Sequence, residues 1–537
     1  MNKHRIPVAE SDIVELHRRP EGTVSEDDLK SVLRRYNLRD ALTVIGRASF
    51  YIYTTHDPNN IYKIAHRDPE TGIIVSQWAL AYLANIFLIS GSNDHKAKSF
   101  SSKPDNLLVL CNLYGNNLQQ PEMLNGTDIR NEDNFRSLMV RISFEQLEYQ
   151  FTPVNMIART IVLFNDVANR LVPQRFDPLP QIFERSTGVN TSDYLLIAMA
   201  VVSGAHKTAT FRPTMFASAD IPRLKGLLSE GKVQKCLEML SADYKEFQQE
   251  DRKANRKLDP LFTKTRFNPL WIVPIIKSPS RRFDPFIIPN SLGYIRAAFG
   301  GLFWWFHRYF EARGVQQEFR NYFGYLFQEY VGMVLKSVFG DKNVHPELSY
   351  GRDKKFIDWW LERKGKIYLF EVKANQFALA SRQTGEEDLI VKGEIRKVAE
   401  AIEQVYRRVQ DVMQYEELKV FRNKHLLPFI IFYDMPFISG PMYEDSIRES
   451  LAEIETAKGL SGLQAFSHYL LNIEELELFD GAVNKIEMEE IFPIIRQNRA
   501  KAFLSVVREA TGQQQLRNHF LDEAYKKFFG LKLNFEQ

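Results

Sequence analysis

Through much of the first half of the chain, apolar residues return at the spacing of a helix rather than the alternation of a strand. That period predicts a mostly α-helical region from about residue 25 to 250. Ser25-Glu-Asp-Asp28 has the form of a capping box ahead of LKSVLRRYNL, so a helix is expected to start there. The stretch 76–89, SQWALAYLANIFLI, has no strand alternation, and its length suits a buried helix. Further helices are expected over 155–171, 193–203 and 221–244. Polar, turn-rich stretches interrupt them, SGSNDHKAKSFSSKPDN before Leu107 and YGNNLQQPEMLNGTD after Leu113.

The pattern then changes twice. QQEDRKANRKLDP, 248–260, is dense in charge and reads as a solvated linker or helix end, or alternatively as a phosphate-contacting basic strip. In FNPLWIVPIIKSPSRRFDPFIIP, prolines at 269, 274, 279, 285 and 289 forbid a regular helix and leave short extended pieces with bends. The stretches 291–310 and 316–339 return to helical spacing. Beyond them HPELSY, KFIDWWLE and KIYLFEVKA are short β-like runs, a long helix is expected over 394–413, and LPFIIFYDM is a buried strand. Strands, one long helix and a further strand predict a mixed α/β sheet domain in the C-terminal half. The organisation expected is a helical N-terminal region (1–250), a proline-rich connector with an aromatic helix (251–310), an α/β core (311–440) and a C-terminal helical segment (441–537).

Bulk properties narrow the classes. A chain of 537 residues is too long for one core, and size alone suggests roughly two to four domains. A net charge of +3 permits nucleic-acid binding without demanding it. Only two cysteines occur, Cys111 and Cys236, with no metal-ligand spacing around them, so neither a disulfide framework nor a structural zinc is expected. The longest lipid-like run, YLLIAMAVV, falls far short of the ~20 residues a membrane helix needs. A soluble, cytoplasmic chain without membrane contact is the expectation. No His-Glu-x-x-His pattern and no Gly-x-x-x-x-Gly-Lys-Ser/Thr loop are present, which argues against a zinc hydrolase or a P-loop NTPase.

The chemistry concentrates in YLFEVKA, 368–374, a greasy strand that ends on Glu371 and Lys373. Arg363-Lys-Gly-Lys366 separates it from KFIDWWLE, and Lys-Gly can supply a tight hairpin turn. Alternation places Glu371 and Lys373 on the face that holds Ile367 and Leu369. Whether Asp358 shares that face depends on register, which the sequence leaves open. A buried carboxylate pair is costly without compensation, and a divalent cation compensates it. Two carboxylates and a backbone carbonyl, here that of Val372, form the hard-oxygen set that Mg²⁺ (or Mn²⁺) prefers. A lysine beside them can hold the attacking water and offset charge in the transition state.

Asp358, twelve residues, then Glu371-Val372-Lys373 resembles the PD-(D/E)XK, restriction-endonuclease-like nuclease superfamily over about residues 316–435. Ile357 stands where the motif's proline would be, a departure that leaves the ligands untouched. Glu417-Leu-Lys419 has the same three-residue form and reads as a helix surface. The resemblance implies a restriction-endonuclease-like fold in a mixed α/β C-terminal domain, preceded by the mostly α-helical region. It implies Asp358 and Glu371 as metal ligands and Lys373 as the residue positioning water. It also implies an acid from the helix in GYLFQEYV, Glu329, with Glu347 of HPELSY as a rival. Gln404 and Lys397, on the flank of the later helix, would then lie near the scissile phosphate, with Lys354, Lys355 and Arg408 as further phosphate contacts. The expected function is Mg²⁺-dependent DNA cleavage in restriction or antiphage defence, by a homodimer or with a partner subunit of a defence complex. A non-cleaving nucleic-acid-binding or scaffold protein and a repair nuclease are the alternatives.

Overall fold

The computed structural model describes the chain apart from residues 1–11, 55–64, 104, most of 120–151, 174–175, 219–221, 280–283, 377–392, 436–442, 498–502, 513–517 and 531–537. Residues 1–165 with 177–306 form one compact unit, and residues 166–176 with 307–537 form another.

The first unit is mainly helical. Ser25 caps the helix Glu26–Leu33: its hydroxyl accepts the Asp28 N–H at 3.1 Å, and the Asp28 carboxylate accepts the Ser25 N–H at 3.1 Å. The helices Leu38–Thr54 and Gln77–Ile89 pack together, the second burying almost all of its residues and the first one face. The single helix expected over 221–244 is two, Pro222–Ser229 and Lys232–Leu240. Gly231 between them has φ 71°, a left-handed conformation that breaks the helical hydrogen-bond run. The proline-rich stretch is not a free-standing connector. It supplies the strands Ile275–Lys277 and Phe286–Ile287 to a four-stranded sheet completed by Thr210–Phe211 and Ser241–Ala242. Pro274 and Pro285 immediately precede those strands, at a position where a missing N–H costs no ladder bond. Cys111 and Cys236 are buried and unbonded; burial pushes both thiols up to about 12.

The second unit is built on a five-stranded sheet. Its elements run α1 (Gln316–Phe339), β1 (Val344–Pro346), β2 (Trp359–Arg363), β3 (Lys366–Gln376), α2 (Arg396–Asp411), β4 (His425–Asp434), α3 (Glu444–Lys458) and β5 (Tyr469–Asn472). Strand order is β5-β4-β3-β2-β1. The β1–β2 and β2–β3 pairs are antiparallel; β3–β4 and β4–β5 are parallel. A tight turn joins β2 to β3, with Lys364 at φ 49° and Gly365 at φ 74°, the two positive values of a type I′ hairpin. Parallel pairing of β3 with β4 requires a crossover, and α2 lies within it. Residues after 441 belong to this unit, since β5 forms the sheet edge and Phe492 packs on Phe429 and Tyr469.

The two faces of the sheet differ. On one, Trp359 and Phe370 are cross-strand neighbours. The Trp359 indole donates to the Gln328 carbonyl of α1 at 2.9 Å and lies on Gly332, where a Cβ would come within 2.1 Å of the ring. Tyr368, Phe370, Phe429 and Tyr469 stack along the same face. The opposite face carries Ile367, Leu369, Glu371 and Lys373 and meets α2, whose stripe Val398, Ala401, Ile402 and Val405 is buried.

Candidate active site

Register brings the acidic residues together. Trp359 pairs with Phe370, so extending the ladder by one residue sets Asp358 opposite Glu371, on the α2 face. One Asp358 carboxylate oxygen, Oδ2, accepts the Val372 N–H at 2.7 Å. Beyond Lys373 the β3–β4 register shifts by a bulge before Gln376 pairs with Asp434. The charged end of YLFEVKA therefore sits where the regular ladder stops, as bulges beside functional sites commonly do.

Glu371 is 2% exposed and has a cation on each oxygen. Lys373 Nζ meets Oε1 at 2.7 Å, and the Arg408 guanidinium binds Oε2. The same Lys373 ammonium donates to Gln404 Oε1 at 2.7 Å. Gln404 and Arg408 lie four residues apart on α2, one turn of the helix, so a single helix face serves both ends of the carboxylate. Asp358 has no such direct cation. Burial, and then the neighbouring Glu371 carboxylate, push its carboxyl up to about 7, against the lowering effect of the Val372 N–H, Lys373 and Arg408.

The donor set fits a hard divalent cation. Asp358 Oδ1 has no hydrogen-bond partner among the described residues, and Glu371 lies across from it. Two carboxylates at one place, one of them held only half ionised near neutral pH, form a site that positive charge stabilises. A cation bound there would be held by Asp358 and Glu371.

Other expected participants stand elsewhere. Glu329 is half-buried on α1, the helix that packs on the opposite face through Gln328 and Gly332. Among the described residues no group of three or more His, Cys, Asp or Glu side chains is placed to hold a metal. The helix of Glu329 covers the Trp359 face, whereas Asp358 and Glu371 lie on the face that meets α2. The rival acid Glu347 is ion-paired with Lys355. Lys354 binds Asp411 at 3.1 Å and the Tyr415 hydroxyl at 3.2 Å, and Lys397 binds Glu394 at 3.1 Å. These three lysines are well exposed, whereas their carboxylate partners are more deeply buried, Glu394 to 2% exposure. Arg408 differs. Expected as a phosphate contact, it is bound to Glu371, an ionic role that spacing along a helix does not disclose. The Val372 carbonyl, expected as a ligand, belongs to a residue whose N–H holds Asp358.

No protein-family model, curated protein or solved structure matches this chain. Among the described residues no helix is long and apolar enough to cross a membrane.

Proposed function

We propose that the second unit is a metal-dependent phosphodiester hydrolase of the PD-(D/E)XK kind, acting on DNA. The observation that carries this reading is the convergence of Asp358, Glu371, Lys373 and Gln404 at one strand end, with Lys373 bridging Glu371 and Gln404. The order helix, three antiparallel-paired strands, crossover helix and parallel strand supports it, since that arrangement puts both carboxylates and the lysine on one rim. A bound Mg²⁺ or Mn²⁺ would supply Lewis acidity toward the scissile phosphate.

The chain's own groups do the rest. An ammonium has three N–H donors; Lys373 spends two on Glu371 and Gln404, and the third serves the attacking water or a phosphate oxygen. Gln404 fixes the lysine in that place, and the Val372 N–H fixes Asp358. Arg408 pairs with the buried Glu371 carboxylate from the other side. DNA as substrate, a cytoplasmic setting, and a role in restriction or antiphage defence rest on the family resemblance of the motif.

The test is supercoiled plasmid incubated with the wild-type chain and with Lys373→Ala, in Mg²⁺, Mn²⁺ or EDTA. Cleavage by the wild type alone, abolished by EDTA, is expected, with at least a hundredfold loss in the variant. Equal cleavage by both proteins, or cleavage that survives EDTA, would sink the mechanism. Binding of plasmid without cleavage under every condition would favour the non-cleaving reading.

A further inference from the structure

The charged stretch 248–260 admits two readings, a solvated segment or a phosphate-contacting basic strip, and the nuclease site uses none of it. Its first half is the end of the helix Tyr244–Ala254, and residues 255–257 form the turn that follows. One side of this segment is fixed inward. Phe247 is fully buried, Asp251 is buried and bound to Arg266 at 2.7 Å, and Gln248 donates to the Leu88 carbonyl at 2.8 Å. Asn255, at the helix end, donates to the Phe267 carbonyl at 2.9 Å and accepts the Phe267 N–H at 2.8 Å. Residues 247, 251 and 255 follow at four-residue spacing and so share a face. A backbone pinned at each turn is not a loose linker.

The other side carries Arg252, Lys253, Arg256 and Lys257, all exposed. Arg252 Nε donates to the Gln248 carbonyl of its own helix at 3.2 Å. None of the four has an ion-pair partner among the described residues, and Lys253, Arg256 and Lys257 have no side-chain hydrogen bond there either. In the second unit, by contrast, Lys354, Lys355 and Lys397 each have an acid partner. Two acids close in sequence are committed elsewhere, Asp251 to Arg266 and Glu246 to the Asp243 N–H at 2.8 Å. The helix dipole favours cations in a last turn, which accounts for Arg252 and Lys253. Arg256 and Lys257 lie past the helix end. Four like charges in six residues repel one another, and an anionic partner removes that repulsion.

We propose that Arg252, Lys253, Arg256 and Lys257 form a docking surface for the phosphate backbone of a nucleic acid. Composition selects this occupant over other polyanions. None of the large hydrophobic side chains exposed among the described residues lies in the strip. A membrane-bound helix needs an apolar face beside its cations, and a protein partner needs aromatic or aliphatic anchors. Phosphates need neither, because charge supplies essentially all of non-specific nucleic-acid binding. The two arginines can each meet a phosphate with paired N–H donors. This surface lies wholly in the first unit and does not depend on the nuclease reading.

Fluorescence anisotropy of the full chain tests it, with a labelled twenty-base-pair DNA duplex and the RNA duplex of the same sequence, in EDTA from about 50 to 200 mM salt. Four phosphate contacts predict that log affinity falls with log salt more steeply, by about 3–4, in the wild type than in a chain with all four residues changed to Gln. Arg256→Gln alone should flatten the slope by about 1, and Arg256→Lys, which keeps the charge, should not. A flatter slope and weaker binding in the fourfold variant, with melting unchanged, sustain the proposal, and whichever duplex shows them names the nucleic acid. Should the fourfold chain melt early, the two Arg256 variants carry the same comparison. Equal slopes in the wild type and the Gln variants overturn it. So does the absence of binding at the lowest salt, or tighter binding to phosphatidylserine vesicles than to either duplex. Because EDTA prevents metal-dependent cleavage, failure of the nuclease reading leaves each of these outcomes unchanged.

Discussion

With no cation present, Asp358 and Glu371 put two carboxylates in one partly dry site, and only Glu371 has cations in direct contact. The sign of the consequence follows from the direction of the Asp358 shift. Its carboxyl is raised from 3.8 to about 7 in the folded chain, so the folded state holds the proton more tightly than the unfolded one. Stability from this group is therefore full below about pH 4 and is lost as pH rises towards 7. Asp358→Asn removes this pH dependence. In EDTA the variant is expected to melt several degrees above the wild type at pH 8, with the gap closing as pH falls towards 4. Adding Mg²⁺ at pH 8 is expected to raise the wild-type melting temperature and leave the variant unmoved. A gap independent of pH, or equal responses to Mg²⁺, would show that Asp358 is neither the strained carboxyl nor a ligand.

At the scale of the element, the geometry that delivers these residues depends on β2 lying flat against α1. Gly332 permits that approach, because a methyl group there would lie 2.1 Å from the Trp359 ring. Gly332→Ala is expected to cost about 1–3 kcal/mol of stability, the usual range for overpacking. It should also lower Mg²⁺-dependent activity, since Trp359 adjoins Asp358; urea melts and plasmid cleavage on the same preparation check both. A variant with wild-type stability would mean that α1 and β2 can separate without harm. What the sequence disclosed follows the same division. The hairpin was legible because Lys364-Gly365 is local turn chemistry, and so was the buried stripe of α2, whose period is local too. Asp358's face was not, since it depends on pairing between strands. Nor was the Arg408 bond to Glu371, set by which face of the sheet α2 covers. The break at Gly231 was hidden inside an apolar run that kept helical spacing on both sides.

Over the whole molecule, the carboxylate site falls in one compact unit, and a small cleft lined by Tyr82, Asn85, Lys264 and Arg266 falls in the other. The cleft draws on residues from Trp78 to Trp271, a span across which no local motif could have gathered them. Its one local trace is Asn85, an amide in a helix otherwise almost wholly apolar and buried. Burying an amide there is costly without partners, and the partners arrive from Asp251 and Asn268, far along the chain. Each site thus has its own electrostatic balance, met by groups within its own unit. Sites with no shared partners act additively, to within about 0.3–0.5 kcal/mol, and that gives a prediction for the pair. Lys264→Met should keep the full Mg²⁺-dependent rise in melting temperature, while Asp358→Asn should lose it. The double variant should respond as Asp358→Asn does alone. Melting curves on the four proteins, with and without Mg²⁺, measure this directly. A loss of Mg²⁺ response in Lys264→Met would instead reveal that the first unit controls the carboxylate site.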